Sequence, residues 1–464
     1  MRDPSPAHPY IPNSAPGIQR AMLDEIGAEH IEELYGSIPA RLRVPGLLDL
    51  PSPLRSEYGL RRHVSGVLER NQSCAERLSF LGGGCWPHYV PAVCDEIVNR
   101  SEFLTAYYGD TYGDHGKMQA LFEYASLLGE LVECDAVSQP TYDWGAAAAT
   151  AICMAARITG RGVALVPEST GLGRRSLIEG YCAPWVKLEW IAFDSESGLL
   201  ELEAIRDRLS DETACVYLEM PSFLGTIETQ AAEIASLARA AGALTVVGVD
   251  PSSLGVLEAP PRYGADIVCG ELQPLGIHMH YGGGLAGFVA SNDSEQYVSE
   301  YPMFLIGVGH TEAEGEYAFG EVVWERTSYV QRADSKEYTG TTQNLWAIAA
   351  GAYLALLGPS GLTELGRGIA QRARYAAARI GELPGVAAPA LSAPFFKEFV
   401  VDFGQTGRSV AEINHALLQR GIFGGLDLSS EYPQLGQSAL VCVTEVHTKP
   451  DIDRFVSELA EVLR

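Results

Sequence analysis

Lysine is scarce in this chain: of 33 basic residues among 464, five are lysines, Lys117, Lys187, Lys336, Lys397 and Lys449. Any chemistry that needs a lysine amine has only those places to draw on. Basic residues as a class are also in deficit, 33 against 59 acidic, for a formal net charge of −26. Such a balance repels phosphate backbones and anionic lipid headgroups, which argues against nucleic acid and membrane surfaces as partners. The nine cysteines contain no CxxC pair and no metal-ligand spacing, a pattern that fits buried free thiols in a reducing cytoplasm better than a disulfide framework. The N-terminal MRDPSPAHPYIPNSAPG lacks the positive segment and apolar run of a secretory signal. Apolar stretches such as Gly145 to Ala156 fall short of the ~20 residues that cross a bilayer. A soluble, cytoplasmic protein without internal repeats is expected.

What is present is a large core: 47% of residues are hydrophobic, enough for two or three domains. Residues 1–75 read as an N-terminal helical extension, with apolar residues at helix spacing in IQRAMLDEIG and HIEELYGSIP. Residues 76–330 alternate β-branched runs (GRGVALVPES, VKLEWIAFD, TACVYLEMP, ALTVVGVD, ADIVCGEL) with helical ones (KMQALFEYASLLGELVE, ELEAIRDRLS, AAEIASLARAAG). Strands of such apolar continuity joined by helices predict a parallel sheet covered on both faces, an α/β domain. Tyr301 to Thr342 is irregular. Residues 331–464 read as a smaller α+β domain, with helix QNLWAIAAGAYLALLG, strands KEFVVDFG and SALVCVTE, and a closing helix Asp451 to Arg464.

One spacing points to a cofactor. Strand TVVGVD ends in Asp250, and the next strand, ADIVCG, runs into a turn and the glycine cluster Tyr281 to Gly287. In pyridoxal phosphate enzymes of the aspartate aminotransferase fold (fold type I), a strand-end aspartate pairs with the ring nitrogen and a lysine beyond the next strand carries the aldehyde. Here the corresponding turn is Gly270-Glu271-Leu272-Gln273-Pro274-Leu275, with Gln273 in it and no lysine. Lys187 and Lys397 fall mid-strand, Lys117 heads a helix, Lys336 lies in the irregular stretch and Lys449 near the C-terminus. Asp250 is thus either a retained ring partner or a turn former ahead of Pro-Ser-Ser. His278 and His280 alternate at strand spacing and face one cavity if that segment is extended, but a metal pair lacks a third ligand. Gly282 to Gly284 permits close backbone approach more readily than phosphate binding, and ESTGLGRRS holds no Gly-x-Ser-x-Gly elbow.

The motifs HPYIPNSAPGIQRAMLDEIG, HYVPAVCDEI, EFLTAYYG, LFEYASLLGELVECDAV, TYDWGAAAA, VDPSSLGVLEAP, GADIVCGELQPLGI with YGGGLAGFVA, and VTEVHTKPDIDRF run through nearly the whole chain. With these it resembles the α subunit of the heteromeric glycine decarboxylase, the P-protein of the glycine cleavage system. The resemblance implies an aminotransferase-type fold without the cofactor lysine. It also implies pyridoxal 5'-phosphate held by a lysine-bearing β subunit, active sites where α and β meet, an α2β2 heterotetramer, and transfer of an aminomethyl group from glycine to a lipoyl H-protein or other carrier. It brings the loop Tyr107, Tyr108, Asp110, Tyr112, Asp114 and His115 near the shared site, with Tyr107, Tyr108, Tyr112 and His115 as catalytic candidates. It leaves Asp250, Gln273, His278 and His280 as cofactor-facing or partner-facing candidates.

Several loops depart from the family pattern. A Thr-Pro-Tyr-Gln-Pro-Glu run is replaced by Tyr108 to His115, Tyr-Asp-Gly-Ala-Thr-Ala by Tyr142-Asp143-Trp144-Gly145-Ala146-Ala147, Val-His-Pro by Thr170-Gly171-Leu172, and a basic loop by Arg332 to Tyr338. Loops at strand ends are where α/β proteins place ligands. Two alternatives follow: a repurposed paralogue acting on another amino acid or a carrier-bound group, and a catalytically silent scaffold.

Overall fold

In a computed structural model the chain forms two compact units, Met1–Gln72 and Ser73–Arg464. The structure describes residues 10–11, 15–44, 48–104, 115–303, 305–322, 333, 335–337, 339 and 342–464.

The first unit holds helices Pro16–Glu25 and Glu57–Leu68 and two short 3-10 turns. Pro16 opens the first helix and the Ser56 hydroxyl caps the second by accepting from the Gly59 amide. Of its described residues Ala28 alone is buried.

The second unit is built on seven strands in the order Ala136–Val137, Gly287–Ser291, Ile267–Glu271, Leu244–Val249, Thr213–Met220, Val163–Pro167, Lys187–Ile191. The five strands from Ile267–Glu271 to Lys187–Ile191 are parallel; Gly287–Ser291 runs antiparallel to both its neighbours. The parallel expectation therefore holds for the centre and fails at one edge. Alternate side chains feed two cores: Val163, Leu165, Val216, Leu218, Val247 and Val249 enter one, Ala164, Val166, Cys215, Tyr217 and Val246 the other. Alanine-rich helix Trp144–Thr159 packs into the second core.

Helix Asn344–Gly381 joins the first core through Ala347, Ile348, Ala350 and Leu354, then breaks at Gly358 (φ 57) before Pro359. By length and composition it is apolar enough to cross a membrane, which exceeds the short runs read from sequence; fifteen of its residues are buried in the protein. A third core lies under the antiparallel strands Glu398–Asp402, Ser438–Cys442 and Leu426–Asp427, covered by helices Val410–Gln419 and Lys449–Leu463. Both helices start with capping boxes, Ser409 with Glu412 and Thr448 with Asp451. Within the stretch read as irregular, Ile306–His310 and Tyr317–Glu321 form an antiparallel hairpin against helix His115–Val132.

Candidate functional site

Parallel strands end together, and their C-terminal ends frame a crevice where α/β proteins bind ligands. Asp250 follows the central strand Leu244–Val249 and is 3% exposed. Its Oδ1 accepts from the Ser252 amide at 3.0 Å and the Ser252 hydroxyl at 2.7 Å, capping the turn Pro251–Gly255. Its Oδ2 faces the Nζ of Lys397 at 2.7 Å. Lys397 is not mid-strand: it sits one residue before Glu398–Asp402, also 3% exposed. Lys187 likewise opens its strand rather than lying within it.

The Lys397 ammonium is boxed in. It lies 3.5 Å from the centre of the Trp86 ring, a cation–π contact. The Nε2 of His88 stands 3.0 Å away and accepts from it, while His88 Nδ1–H donates to Glu445 Oε2 at 2.8 Å. Burial pushes the Glu445 carboxyl up, but the His88 imidazole beside it and the hydrogen bond it donates, with the Tyr89 amide, more than offset this and hold it below the usual range.

Beside this cluster stands a second. Arg174, in the first turn of helix Leu172–Cys182, stacks on Trp144 at 4.1 Å and lies 5.5 Å from Phe223. It faces buried Glu219 at 3.4 Å, and Tyr217 donates to Glu219 while accepting from the Trp144 indole. Burial raises the Glu219 carboxyl, and Arg174 opposes the shift. The space among Trp86, Trp144, Arg174, Asp250, Lys397 and Glu398 is about 10 Å³, room for one water. No pyridoxal ring fits against Asp250 as the side chains stand.

The end of the site where a helix would present its amides to a phosphate is also taken. Glu271, last residue of strand Ile267–Glu271, accepts from the Trp144 amide through Oε2 and from the Ala286 and Gln273 amides through Oε1, at 3.1, 2.7 and 3.1 Å. Asp143 caps the same helix through the Ala146 amide at 2.8 Å. Burial pushes the Glu271 carboxyl up to about 8 against the pull of its amide donors. Above lies an open groove of about 380 Å³, walled by Gly82 to Gly84, Gly171, Trp144, Arg174 and Leu285 among others.

The remaining candidates fall elsewhere. Gln273 is wholly buried: its Oε1 accepts from the Trp86 amide and its Nε2 donates to the Trp86 and Ile277 carbonyls, each at 3.0 Å, so its side chain pins a turn. His278 and His280 do not alternate along a strand; the segment is a turn and a 3-10 helix, His278 bonds Asp95 at 2.9 Å and His280 stacks on Trp346. Neither lines the groove. Among the described residues no His, Cys, Asp and Glu cluster is arranged for a metal ion. Tyr107, Tyr108, Asp110, Tyr112 and Asp114, with the side chain of His115, lie outside the described residues. Sequence reasoning missed Lys397, Arg174, Glu271 and the His88–Glu445 pair, although the last two residues sit inside the quoted motifs HYVPAVCDEI and VTEVHTKPDIDRF.

Residues 8–459 match the model of the glycine cleavage system P-protein family. The chain is 37% identical over 467 residues, 98% of each chain, to a probable glycine dehydrogenase (decarboxylating) subunit 1 of Staphylothermus marinus. Its structure is similar to a glycine decarboxylase (P-protein) of the glycine cleavage system solved in inhibitor-bound form, with a TM-score of 0.83, 32% identity, and 96% and 98% of the two chains covered. A sphingosine-1-phosphate lyase of Burkholderia pseudomallei shares the fold at 17% identity, with a TM-score of 0.62 over 92% and 94% of the chains. Full-length identity, a matching family model and a shared fold type I architecture agree: the chain belongs to the glycine cleavage system P-protein family.

Proposed function

We propose that this chain is the α subunit, without the cofactor lysine, of a heteromeric, pyridoxal phosphate-dependent glycine decarboxylase, whose cofactor is held by a lysine-bearing β subunit. The observation that carries this reading is the pocket at Asp250, filled by Lys397, directly beneath an open groove. The cofactor, bound on the partner, supplies the electron sink that lets glycine lose carbon dioxide before the aminomethyl group passes to a lipoyl H-protein.

This chain's own residues shape the wall of the shared site. Gly82 and Gly83 are packed against Glu398, Cys442 and Leu426, where a side chain would clash, and Gly84 leaves open space at the groove. Trp144 and Phe223 hold the Arg174 guanidinium in place and keep water from the Glu219 pair. At the rim, Tyr281 is 88% exposed with φ 57, a conformation a tyrosine adopts at a cost, and it offers an aromatic surface to a partner. The nine free thiols support the cytoplasm as its compartment, and its likeness to subunit 1 proteins supports assembly with a second subunit, here as an α2β2 heterotetramer.

A second reading, a repurposed paralogue acting on another amino acid, draws on Trp144. This departure from the family loop projects its indole into the groove wall and narrows it. The test is glycine-dependent exchange of labelled bicarbonate with each subunit alone and with both plus H-protein. Exchange only in the full mixture supports the first reading; a reconstituted complex that exchanges the carboxyl of another amino acid and not glycine's overturns it in favour of the second.

A further inference from the structure

We propose that Lys397 and Glu271 are built-in occupants of this chain's own cofactor site, the ammonium standing where a protonated ring nitrogen would pair with Asp250 and the carboxyl oxygens standing where a phosphate would meet a helix N-terminus. The inference deepens the reading of a partner-held cofactor: the site is not merely short of a lysine but occupied by side chains that take up the contacts a ring nitrogen and a phosphate would make.

The geometry supports each half independently. At the ring end a cation lies on the face of Trp86, 2.7 Å from the Asp250 carboxylate, the two kinds of contact a protonated aromatic ring would make. At the phosphate end an acid accepts three amide hydrogens, one of them from the first residue of helix Trp144–Thr159. Beside Lys397 and Asp250 about 10 Å³ remains, while Glu271 stands at the floor of the open groove of about 380 Å³. A plug of this kind preserves what the empty architecture would lose. Asp250 without a cation would be a buried unpaired charge, and the strand ends that wall the groove would lack a common anchor. The chain therefore keeps the shape of a cofactor enzyme, and presents it to a partner, without competing for the cofactor.

The plug assigns different reactivities to the lysines. Lys187 and Lys449 are 71% and 69% exposed and open to an aldehyde; Lys397 is buried, paired with Asp250 and held on three sides. The isolated full-length chain is treated with pyridoxal phosphate, reduced with borohydride and mapped by peptide mass spectrometry. Pyridoxyl label is expected on Lys187 and Lys449, with Lys397 carrying less than about a tenth of their label. Label at Lys397 equal to theirs overturns the proposal.

A second arm tests the cation site itself. Lys397→Ala removes the equivalent of a propylammonium ion, so propylammonium chloride should raise the Tm of that variant more than 1-propanol or sodium chloride at equal concentration, with no such difference in the wild type. Equal response to the alcohol and the ammonium overturns the proposal, and if the variant does not fold the labelling result decides. Failure here is distinguishable from failure of the partner-held reading: label at Lys397 in the isolated chain removes the plug, while the mass of the partner chain from the reduced complex reports separately where the cofactor resides.

Discussion

His88 donates through Nδ1–H to Glu445 at 2.8 Å, tying a segment near the start of the second unit to one near its end. Because this bond and the Tyr89 amide favour the charged carboxylate, the Glu445 pKa is lower folded than unfolded. Its contribution to stability is present above an unfolded value of about 4.3 and is lost as pH falls below it. Glu445→Gln should cost about 1.5–3 kcal/mol near neutral pH in urea unfolding, the scale of a hydrogen bond to a charged group. The gap between wild type and variant should close as pH drops below ~4. A gap independent of pH would show that the carboxylate is not the stabilising form.

Lys397 and Asp250 form a buried pair, so removing one partner leaves the other uncompensated. Lys397→Met should lower unfolding stability by about 3–5 kcal/mol. Adding Asp250→Asn to that variant should recover part of the loss, because the orphaned charge goes with it. A double variant no more stable than the single would contradict the pairing.

Restoring a lysine to the turn does not restore a cofactor site. Gln273 makes three hydrogen bonds that lock Trp86 and Ile277, and Gln273→Lys breaks them while leaving Lys397 in place. The expected outcome is a chain destabilised by a few kcal/mol, roughly the cost of orphaning buried polar groups, with no absorbance band on adding pyridoxal phosphate. A stable variant with a stoichiometric band would mean that the pocket opens readily.

Tyr281 separates a structural role from a partner-facing one. Its φ of 57 costs a tyrosine about 1–2 kcal/mol that glycine would not incur. Tyr281→Gly should therefore raise the stability of the isolated chain by ~1 kcal/mol while weakening association with the β subunit by about tenfold, measured by titration calorimetry. Unchanged affinity would remove Tyr281 from the contact surface.

The central strands were legible because each buries both faces: Val163–Pro167, Thr213–Met220 and Leu244–Val249 read as unbroken apolar runs. The hairpin Ile306–Glu321 was not, because its strands carry glycines and its turn glutamates, and it is stabilised by packing on another helix. In the site, Asp250 was visible from its place at a strand end. Lys397 was not, since a single lysine inside FFKEFVV reads as a mid-strand residue far in sequence from the turn, and only the tertiary fold brings it to Asp250. The turn at His278 and His280 misled for a local reason: His280 and Tyr281 take positive φ, which breaks the alternation a strand would have kept.

The most direct measurement is the mass of each chain after borohydride reduction of the reconstituted complex with pyridoxal phosphate. Surface label is first removed from account by comparison with each chain reduced alone. The expected result is one additional pyridoxyl group on the β subunit and none on this chain, whose site Lys397 closes. A stoichiometric pyridoxyl group on this chain within the complex would contradict both the plug and the borrowed cofactor.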